Sequence, residues 1–125
     1  MLKQIDFYSL KNFSIPETGK VQAEVELNVT HAIFKGHFPG SPVVPGVCLI
    51  QISKEMLEKS LNTTTHLIQS SQVKFLAIVD PTVDSVLKVA LETKEQDGLI
   101  SVNAVISAGE KVFFKFKGVF KRDNG

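Results

Sequence analysis

Residues 31–46 read His-Ala-Ile-Phe-Lys-Gly-His-Phe-Pro-Gly-Ser-Pro-Val-Val-Pro-Gly, and this segment carries the most specific pattern in the chain. It holds three of the five prolines and three of the eight glycines, and His37 lies among them. Proline restricts the backbone, whereas glycine permits conformations and close approaches that other residues do not allow. A titratable side chain inside such a segment predicts a pre-shaped active-site loop.

The residues on either side of this segment predict one strand before it and one helix after it. On residues 20–29 the apolar side chains occupy every second position from Val21 to Val29, which predicts a half-buried strand. From Val47 to about Leu61 the apolar residues recur at helical spacing, which predicts a largely buried helix. The narrow polar stripe of this helix consists of Lys54, Glu55, Glu58 and Lys59.

The rest of the chain predicts further strands. Four of them follow the helix, at His66–Val79, Ser85–Glu95, Leu99–Ala108 and Lys111–Phe120, and a weaker one lies near Lys3–Ser9. The turns between the last four are marked by Asp80-Pro81, Asp97-Gly98 and Ala108-Gly109-Glu110. One long helix and several antiparallel strands predict an α+β domain whose sheet buries one face against the helix.

Size and composition limit the class of protein. With 125 residues, 43% of them hydrophobic, the chain is expected to form one domain over residues 1–125. The net charge of +1 offers no electrostatic argument for a nucleic-acid or membrane partner. The single cysteine, Cys48, excludes an internal disulfide and a cysteine-based metal site. Without a signal-like or membrane-spanning segment, we expect a soluble, unprocessed, cytoplasmic protein.

The motif Gly36-His-Phe-Pro-Gly40, followed by Pro42 and by Pro45-Gly46-Val47 at the predicted helix start, resembles the active-site motif of the 3-hydroxyacyl-ACP dehydratases. The segment Gln72-Val-Lys-Phe-Leu-Ala-Ile-Val-Asp-Pro81 is similar to the central strand of that family and to the turn after it. The resemblance implies the hotdog fold, in which an antiparallel sheet wraps around one long helix. It also implies a dimer with two active sites at its interface, each taking a histidine from one subunit and an acid from the helix of the other.

The resemblance further implies a substrate and a reaction. The substrate is a 3-hydroxyacyl chain carried as a thioester on the phosphopantetheine of an acyl carrier protein or of CoA. Loss of water gives the trans-2-enoyl product, without a metal or a redox cofactor, in fatty-acid or polyketide-type acyl metabolism. His37 is the expected base, and the backbone N–H groups of Gly46 and Val47, at a helix N-terminus, are expected to polarise the thioester carbonyl.

Position 51 departs from the family pattern. It lies fourteen residues after His37, at the family's spacing for the acid, and it holds Gln51. An amide does not titrate, so Gln51 can position a water or the substrate hydroxyl but cannot deliver a proton as a carboxylic acid does. Glu55, one helical turn later, is a disfavoured substitute because the helix start fixes the site. A solvated helix residue with no role in the site is an equally weighted interpretation of Gln51.

Three functions therefore stay open. The leading hypothesis is a 3-hydroxyacyl-thioester dehydratase-like lyase that uses Gln51 in place of the acid. A hotdog acyl thioesterase, with Gln51 orienting the attacking water, is the second. The third is a non-catalytic acyl-binding subunit that pairs with an acid-bearing homologue. A dimer, a trimer of dimers and such a heterodimer are all compatible with the sequence, as are carrier protein and CoA.

Several other residues are predicted to be structural. His31 and His66 have no second ligand at a useful spacing, so ordinary loop or strand positions are expected for both. Cys48, in the first turn of the predicted helix, is expected to be a buried thiol. The phenylalanines of the last strand are expected in the core, and the scattered lysines on a solvated face.

Overall fold

One long helix packs against a six-stranded antiparallel sheet, and its main contacts are with three of the strands. This computed structural model describes residues 2, 6–36 and 42–123, with Lys35 and Gly36 described by their backbone alone. The elements are β1 Tyr8–Glu17, β2 Lys20–Leu27, α1 Ala32–Gly36, α2 Gly46–Leu61, β3 Thr65–Phe75, β4 Val86–Gln96, β5 Leu99–Ala108 and β6 Lys111–Arg122.

The strands follow the order β1-β2-β4-β5-β6-β3 across the sheet, and all neighbours are antiparallel. The segment between β2 and β3, which includes α2, therefore connects two strands that lie far apart in the sheet. Apolar residues from the sheet and from α2 share one core, including Val25, Ile52, Leu57, Leu87 and Phe114. The α+β hotdog architecture implied by the resemblance is confirmed.

The predicted helix and the central strands agree closely with the structure. Helix α2 begins at Gly46 and ends at Leu61, and β5 has the predicted bounds. The buried positions of β2 alternate as predicted from Val21 to Leu27, whereas Val29 lies beyond the strand and is exposed. The predicted turn before β5 is also present, since Asp97 and Gly98 both have positive φ angles.

The prediction for the first strand was wrong. Strand β1 runs from Tyr8 to Glu17 and not over Lys3–Ser9, of which residues 3–5 lie outside the described residues. Strand β1 is one edge of the sheet, and most of its side chains are exposed, so it lacks the apolar alternation that predicts a strand. Pro16 is tolerated there because an edge strand has one side without ladder hydrogen bonds.

Two features around the quoted segment were also not predicted. Strand β3 ends at Phe75, four residues before the predicted end at Val79. The chain then turns back to the entry of α2, where the N–H of Val44 donates to the carbonyl of Val79 at 2.9 Å. The short helix α1 forms the first part of the segment, and Nδ1 of His31 accepts a hydrogen bond from the N–H of Ile33 at its start.

In the described part of the chain, no helix is both long enough and apolar enough to cross a membrane.

Candidate active site

His37, the expected base, lies outside the described residues, as does the whole stretch 37–41. The structure describes the elements on either side of it. Helix α1 ends at Gly36, and Phe34 within it packs against Phe7, with ring centroids 5.3 Å apart. After the gap, residues 42–45 lead directly into α2. The role of His37 therefore stays a prediction from the motif.

The first turn of α2 contains Gly46 and Val47, the expected backbone donors. Pro45 is the N-cap residue, and it makes no side-chain hydrogen bond to the helix end. Within residues 2, 6–36 and 42–123, the N–H groups of Gly46 and Val47 donate no hydrogen bond. These groups lie at the positive end of the helix dipole, which favours an oxygen that gains negative charge. Their role in carbonyl binding stays a prediction.

The aromatic ring of Phe75, the last residue of β3, lies over Gly46. A Cβ atom added to Gly46 would lie 2.7 Å from both Cε1 and Cζ of Phe75, which is closer than real Cβ atoms approach. Only glycine fits beneath the ring without a shift. The two residues also line a cavity of about 330 Å³, together with Val44, Leu49 and Ile78, and this cavity is predominantly apolar.

Gln51 is half-buried and makes a specific contact. Its Nε2 atom donates a hydrogen bond to Oε2 of Glu55, one turn further along α2, at 3.0 Å. Gln51 is therefore partly covered and has a side-chain partner, and its role in the site stays a prediction. A glutamine with its amide held in this way is pre-positioned, which is what a polar group in a binding site requires.

Glu55 is buried, although the sequence predicts it on the polar stripe of the helix. Its Oε2 atom also accepts a hydrogen bond from the backbone N–H of Leu2 at 2.8 Å, and its Oε1 atom accepts one from the hydroxyl of Tyr8 at 2.8 Å. The burial of Glu55 has a physical cause. Strand β1 and residue 2 cover this side of α2, and they supply the donors that a buried carboxylate requires.

The buried carboxylate changes the titration of two neighbours. Burial is the main cause that raises the pKa of Tyr8, and the hydrogen bond with Glu55 and its charge raise it further. Burial also raises the pKa of the Cys48 thiol, with a further contribution from Glu55. The prediction of a buried Cys48 is confirmed, and its raised pKa disfavours the nucleophilic thiolate.

Tyr8 is the part of this cluster that the sequence analysis missed. It is the only tyrosine in the chain, and 47 residues separate it from Glu55. No local pattern links two residues so far apart. The one available signal was that Glu55 lies next to apolar positions of the helix. This signal indicates a buried partner only once the order of the strands in the sheet is known.

The sequence family follows from comparison with known proteins. A family model described as ApeI-like, ApeI dehydratase, matches residues 14–114. The chain belongs to the ApeI-like dehydratase family. The matched range contains the His37 motif, the entire helix α2 and strands β2 to β5, and of the residues described above for the site only Leu2, Phe7 and Tyr8 lie outside it.

Curated relatives of this ApeI-like protein are dehydratases. The 3-hydroxyacyl-acyl-carrier-protein dehydratase FabZ of Levilactobacillus brevis is 34% identical over 94 residues, which are 69% of this chain and 62% of the relative. FabZ of Oenococcus oeni is 29% identical over 100 residues, 74% of this chain and 71% of the relative. The chain thus spans less than two thirds of the length of the first of these enzymes.

Solved structures share the fold of this ApeI-like protein at low identity. A chain of the dehydratase heterocomplex ApeI:P from Xenorhabdus doucetiae has a TM-score of 0.74 and 20% identity, with 92% of this chain and 98% of that chain covered. The E. coli PaaI protein from the phenylacetic acid degradation operon has a TM-score of 0.66 and 13% identity, with coverages of 99% and 84%.

Among the described residues, no three of the histidine, cysteine, aspartate and glutamate side chains are arranged to hold a metal ion. His66 instead contacts Asp123, with 2.7 Å between Nδ1 and Oδ1 at the exposed end of β3.

Proposed function

We propose that this ApeI-like protein is a 3-hydroxyacyl-thioester dehydratase-like lyase in which Gln51 occupies the position of the acid. The observation that carries this proposal is the start of α2. The motif from Gly36 to Val47 ends where the helix begins. The N–H groups of Gly46 and Val47 lie in this first helical turn, and Gly46 also lines the apolar cavity. The family match and the FabZ relatives support the same chemistry.

In the proposed mechanism, His37 removes a proton from C2 of the acyl chain. Negative charge then develops on the thioester oxygen, and the N–H groups of Gly46 and Val47 stabilise it. The bond between C3 and the hydroxyl oxygen breaks, and the proton held by His37 passes to that oxygen. Water leaves and the trans-2-enoyl thioester remains. Gln51 holds the hydroxyl, or a water in the reverse reaction, but supplies no proton.

The proposed substrate is carried on an acyl carrier protein, because the FabZ relatives are named for that carrier. A CoA thioester presents the same phosphopantetheine arm, so it is the practical substitute in an assay. The cavity beside Gly46, at about 330 Å³, lies in the size range of small-molecule sites, and its apolar lining suits part of an acyl chain.

We further propose that the protein assembles through the edge of the sheet formed by β3. Among the residues that the structure describes, this strand has no neighbour on one side, and apolar side chains remain exposed along it and just beyond it. They are Leu67, Ile68, Val73, Phe75, Leu76 and Ile78. A long apolar edge favours pairing with another strand, because its backbone groups and its side chains are both unsatisfied.

The second candidate for pairing at the β3 edge is a homologous chain that carries an acid at the helix position corresponding to Gln51. The similar structure from Xenorhabdus doucetiae belongs to a dehydratase heterocomplex, which favours it. In that case the mixed dimer contains one site in which His37 of this chain faces the carboxylic acid of the partner. The protein alone is then nearly inactive, and it gains activity when the homologue is added.

The deciding experiment is a crotonyl-thioester hydration assay on the wild type, His37→Ala and Gln51→Glu, together with the mass of the assembly in solution. We expect weak hydration by the wild type, none by His37→Ala and faster hydration by Gln51→Glu. No turnover by either the wild type or Gln51→Glu would overturn the proposed homomeric enzyme. Release of free thiol from acyl-CoA without any change in the enoyl absorbance would instead favour a thioesterase.

A further inference from the structure

The amide of Gln51 has a defined orientation, which follows from the chemistry of its partner. Both oxygens of Glu55 accept hydrogen bonds, Oε1 from the Tyr8 hydroxyl and Oε2 from the N–H of Leu2 and from Gln51. An ionised carboxylate accepts hydrogen bonds and donates none. Gln51 must therefore face Glu55 with its NH₂ group, so that its carbonyl oxygen, Oε1, is turned away from Glu55.

We propose that Glu55 is a positioning residue that makes Gln51 a hydrogen-bond acceptor for the substrate hydroxyl. Within the described part of the chain, Oε1 of Gln51 accepts no hydrogen bond, so it is available to a ligand. This inference rests on the proposed function. It adds the direction of the hydrogen bond, since the 3-hydroxyl donates a hydrogen bond to Gln51 and accepts none from it.

The direction of this hydrogen bond affects which substrates the site favours. A polar group held at a fixed position discriminates against a substrate that lacks its partner, because the group is then left unpaired. The amide of Gln51 is held in place by a carboxylate that itself accepts hydrogen bonds from the hydroxyl of Tyr8 in β1 and from the backbone N–H of Leu2. We therefore expect the site to favour acyl chains with a hydroxyl at C3 over saturated chains of the same length.

The orientation is tested directly by the side-chain amide protons of Gln51 in NMR spectra of the wild-type protein, assigned by their loss in Gln51→Glu. We expect them to exchange with water at least about tenfold more slowly than those of the exposed Gln22. Exchange as fast as that of Gln22 would overturn the inference. This measurement needs no activity, so it is independent of the proposed function.

Variants separate a positioning role from a structural one. Glu55→Gln keeps the size of the side chain but offers Gln51 both a donor and an acceptor, so either amide orientation becomes possible. Its matched control is Glu58→Gln, on the same helix, because Glu58 accepts a hydrogen bond from the N–H of Thr65 at 2.6 Å, whereas the described hydrogen bond of the Gln51 amide goes to Glu55.

For the 3-hydroxyacyl thioester we expect Glu55→Gln to lower kcat about tenfold, with KM changed less than about twofold, and Glu58→Gln to leave kcat unchanged. Equal kcat values for the two variants would overturn the positioning role. If the wild type has no activity while the Gln51 protons are protected, the proposed reaction fails and the orientation of Gln51 stands. If Glu55→Gln does not fold, the exchange measurement on the wild type decides alone.

Discussion

The ring of Phe75 lies so close to Gly46 that a Cβ atom added there would be 2.7 Å from two of its carbons. The last residue of β3 thereby covers the first residue of α2. In the single chain the Phe75 side chain is 55% exposed, so the ring has room there to turn away if it is pushed. The space above Gly46 is therefore limited by a side chain that can move and not by the backbone. For this reason a substitution at Gly46 should change stability and activity to different extents.

Gly46→Ala is expected to reduce activity far more than stability. Because the ring can rotate, we expect a loss of only about 1 kcal/mol in the free energy of unfolding. The new methyl group, however, occupies the space through which a carbonyl reaches the N–H donors, so we expect a loss of more than about tenfold in kcat/KM. Denaturant unfolding and the hydration assay measure the two effects.

Phe75→Ala in the same background is the control. It removes the clash, so the double variant should recover the stability contribution of the clash but not the activity. Recovery of both would mean that the ring, and not access to the donors, limits the reaction.

Tyr8→Phe is expected to destabilise the protein and to remove part of its sensitivity to alkali. The phenol is buried and donates to Glu55, so its loss should cost about 2 kcal/mol. Burial, with Glu55, raises the pKa of Tyr8 in the folded protein above the usual value of about 10. The folded protein then retains a proton that the unfolded chain releases, so stability from Tyr8 is present below about pH 10 and is lost as the pH rises above it.

The measurement is the free energy of unfolding between pH 8 and 11, compared between the wild type and Tyr8→Phe, with pH values chosen to span the usual tyrosine pKa of about 10. We expect the difference between the two proteins to shrink above about pH 10. The chain has one tyrosine and no tryptophan, so the ultraviolet absorbance of the phenolate reports Tyr8 alone. A phenol that titrates near pH 10 while the protein remains folded would contradict the buried hydrogen bond.

The elements best predicted from the sequence are those whose apolar residues lie on one buried face. Strands β2 and β5 alternate strictly, and α2 has a continuous apolar side, so local periodicity specifies all three. Strand β1 failed this test because most of its side chains are exposed and only a few, such as Tyr8, pack against the core, and the early end of β3 reflects pairing with β6 that no local pattern encodes.

The candidate site was predictable only where a motif is continuous in the chain. The motif that ends at Gly46 and Val47 was found because its residues are neighbours in sequence. The cluster of Gln51, Glu55 and Tyr8 was not, because one of its members comes from another element. The helical pattern placed Glu55 on a solvated stripe, and the covering strand made that position buried.

Ile68→Lys is expected to dissociate the assembly. Ile68 lies on the free edge strand β3 and is 47% exposed in the single chain, so pairing of this edge would bury it. A lysine there places a charge in an apolar contact, and charged side chains on edges oppose strand pairing. We expect a monomer by light scattering and a loss of activity, because the proposed site requires two subunits.

The matched control is Ile15→Lys, since Ile15 is 49% exposed on β1, the opposite edge of the same sheet. It should keep both the assembly and the activity. Dissociation by Ile15→Lys, with no effect of Ile68→Lys, would assign the interface to the other edge.

Gln51→Glu is expected to raise the hydration rate and to make it depend on pH in a particular direction. The new carboxyl group would lie about 3 Å from Oε2 of Glu55, as the amide does now. Two carboxylates at this distance do not both ionise readily, so one of them retains a proton. The donors from Tyr8 and Leu2 favour the charged form of Glu55, so the proton belongs on position 51.

The pKa of the carboxyl at position 51 should therefore be raised above the usual glutamate value of about 4.3, and its protonated form can act as the general acid. The rate of Gln51→Glu should fall as the pH rises through that raised pKa, a fall that the wild type lacks because an amide does not titrate. Adding Glu55→Gln removes the neighbouring charge and should shift the fall to lower pH. A pH profile of the double variant identical to that of Gln51→Glu would show that Glu55 has no influence on position 51.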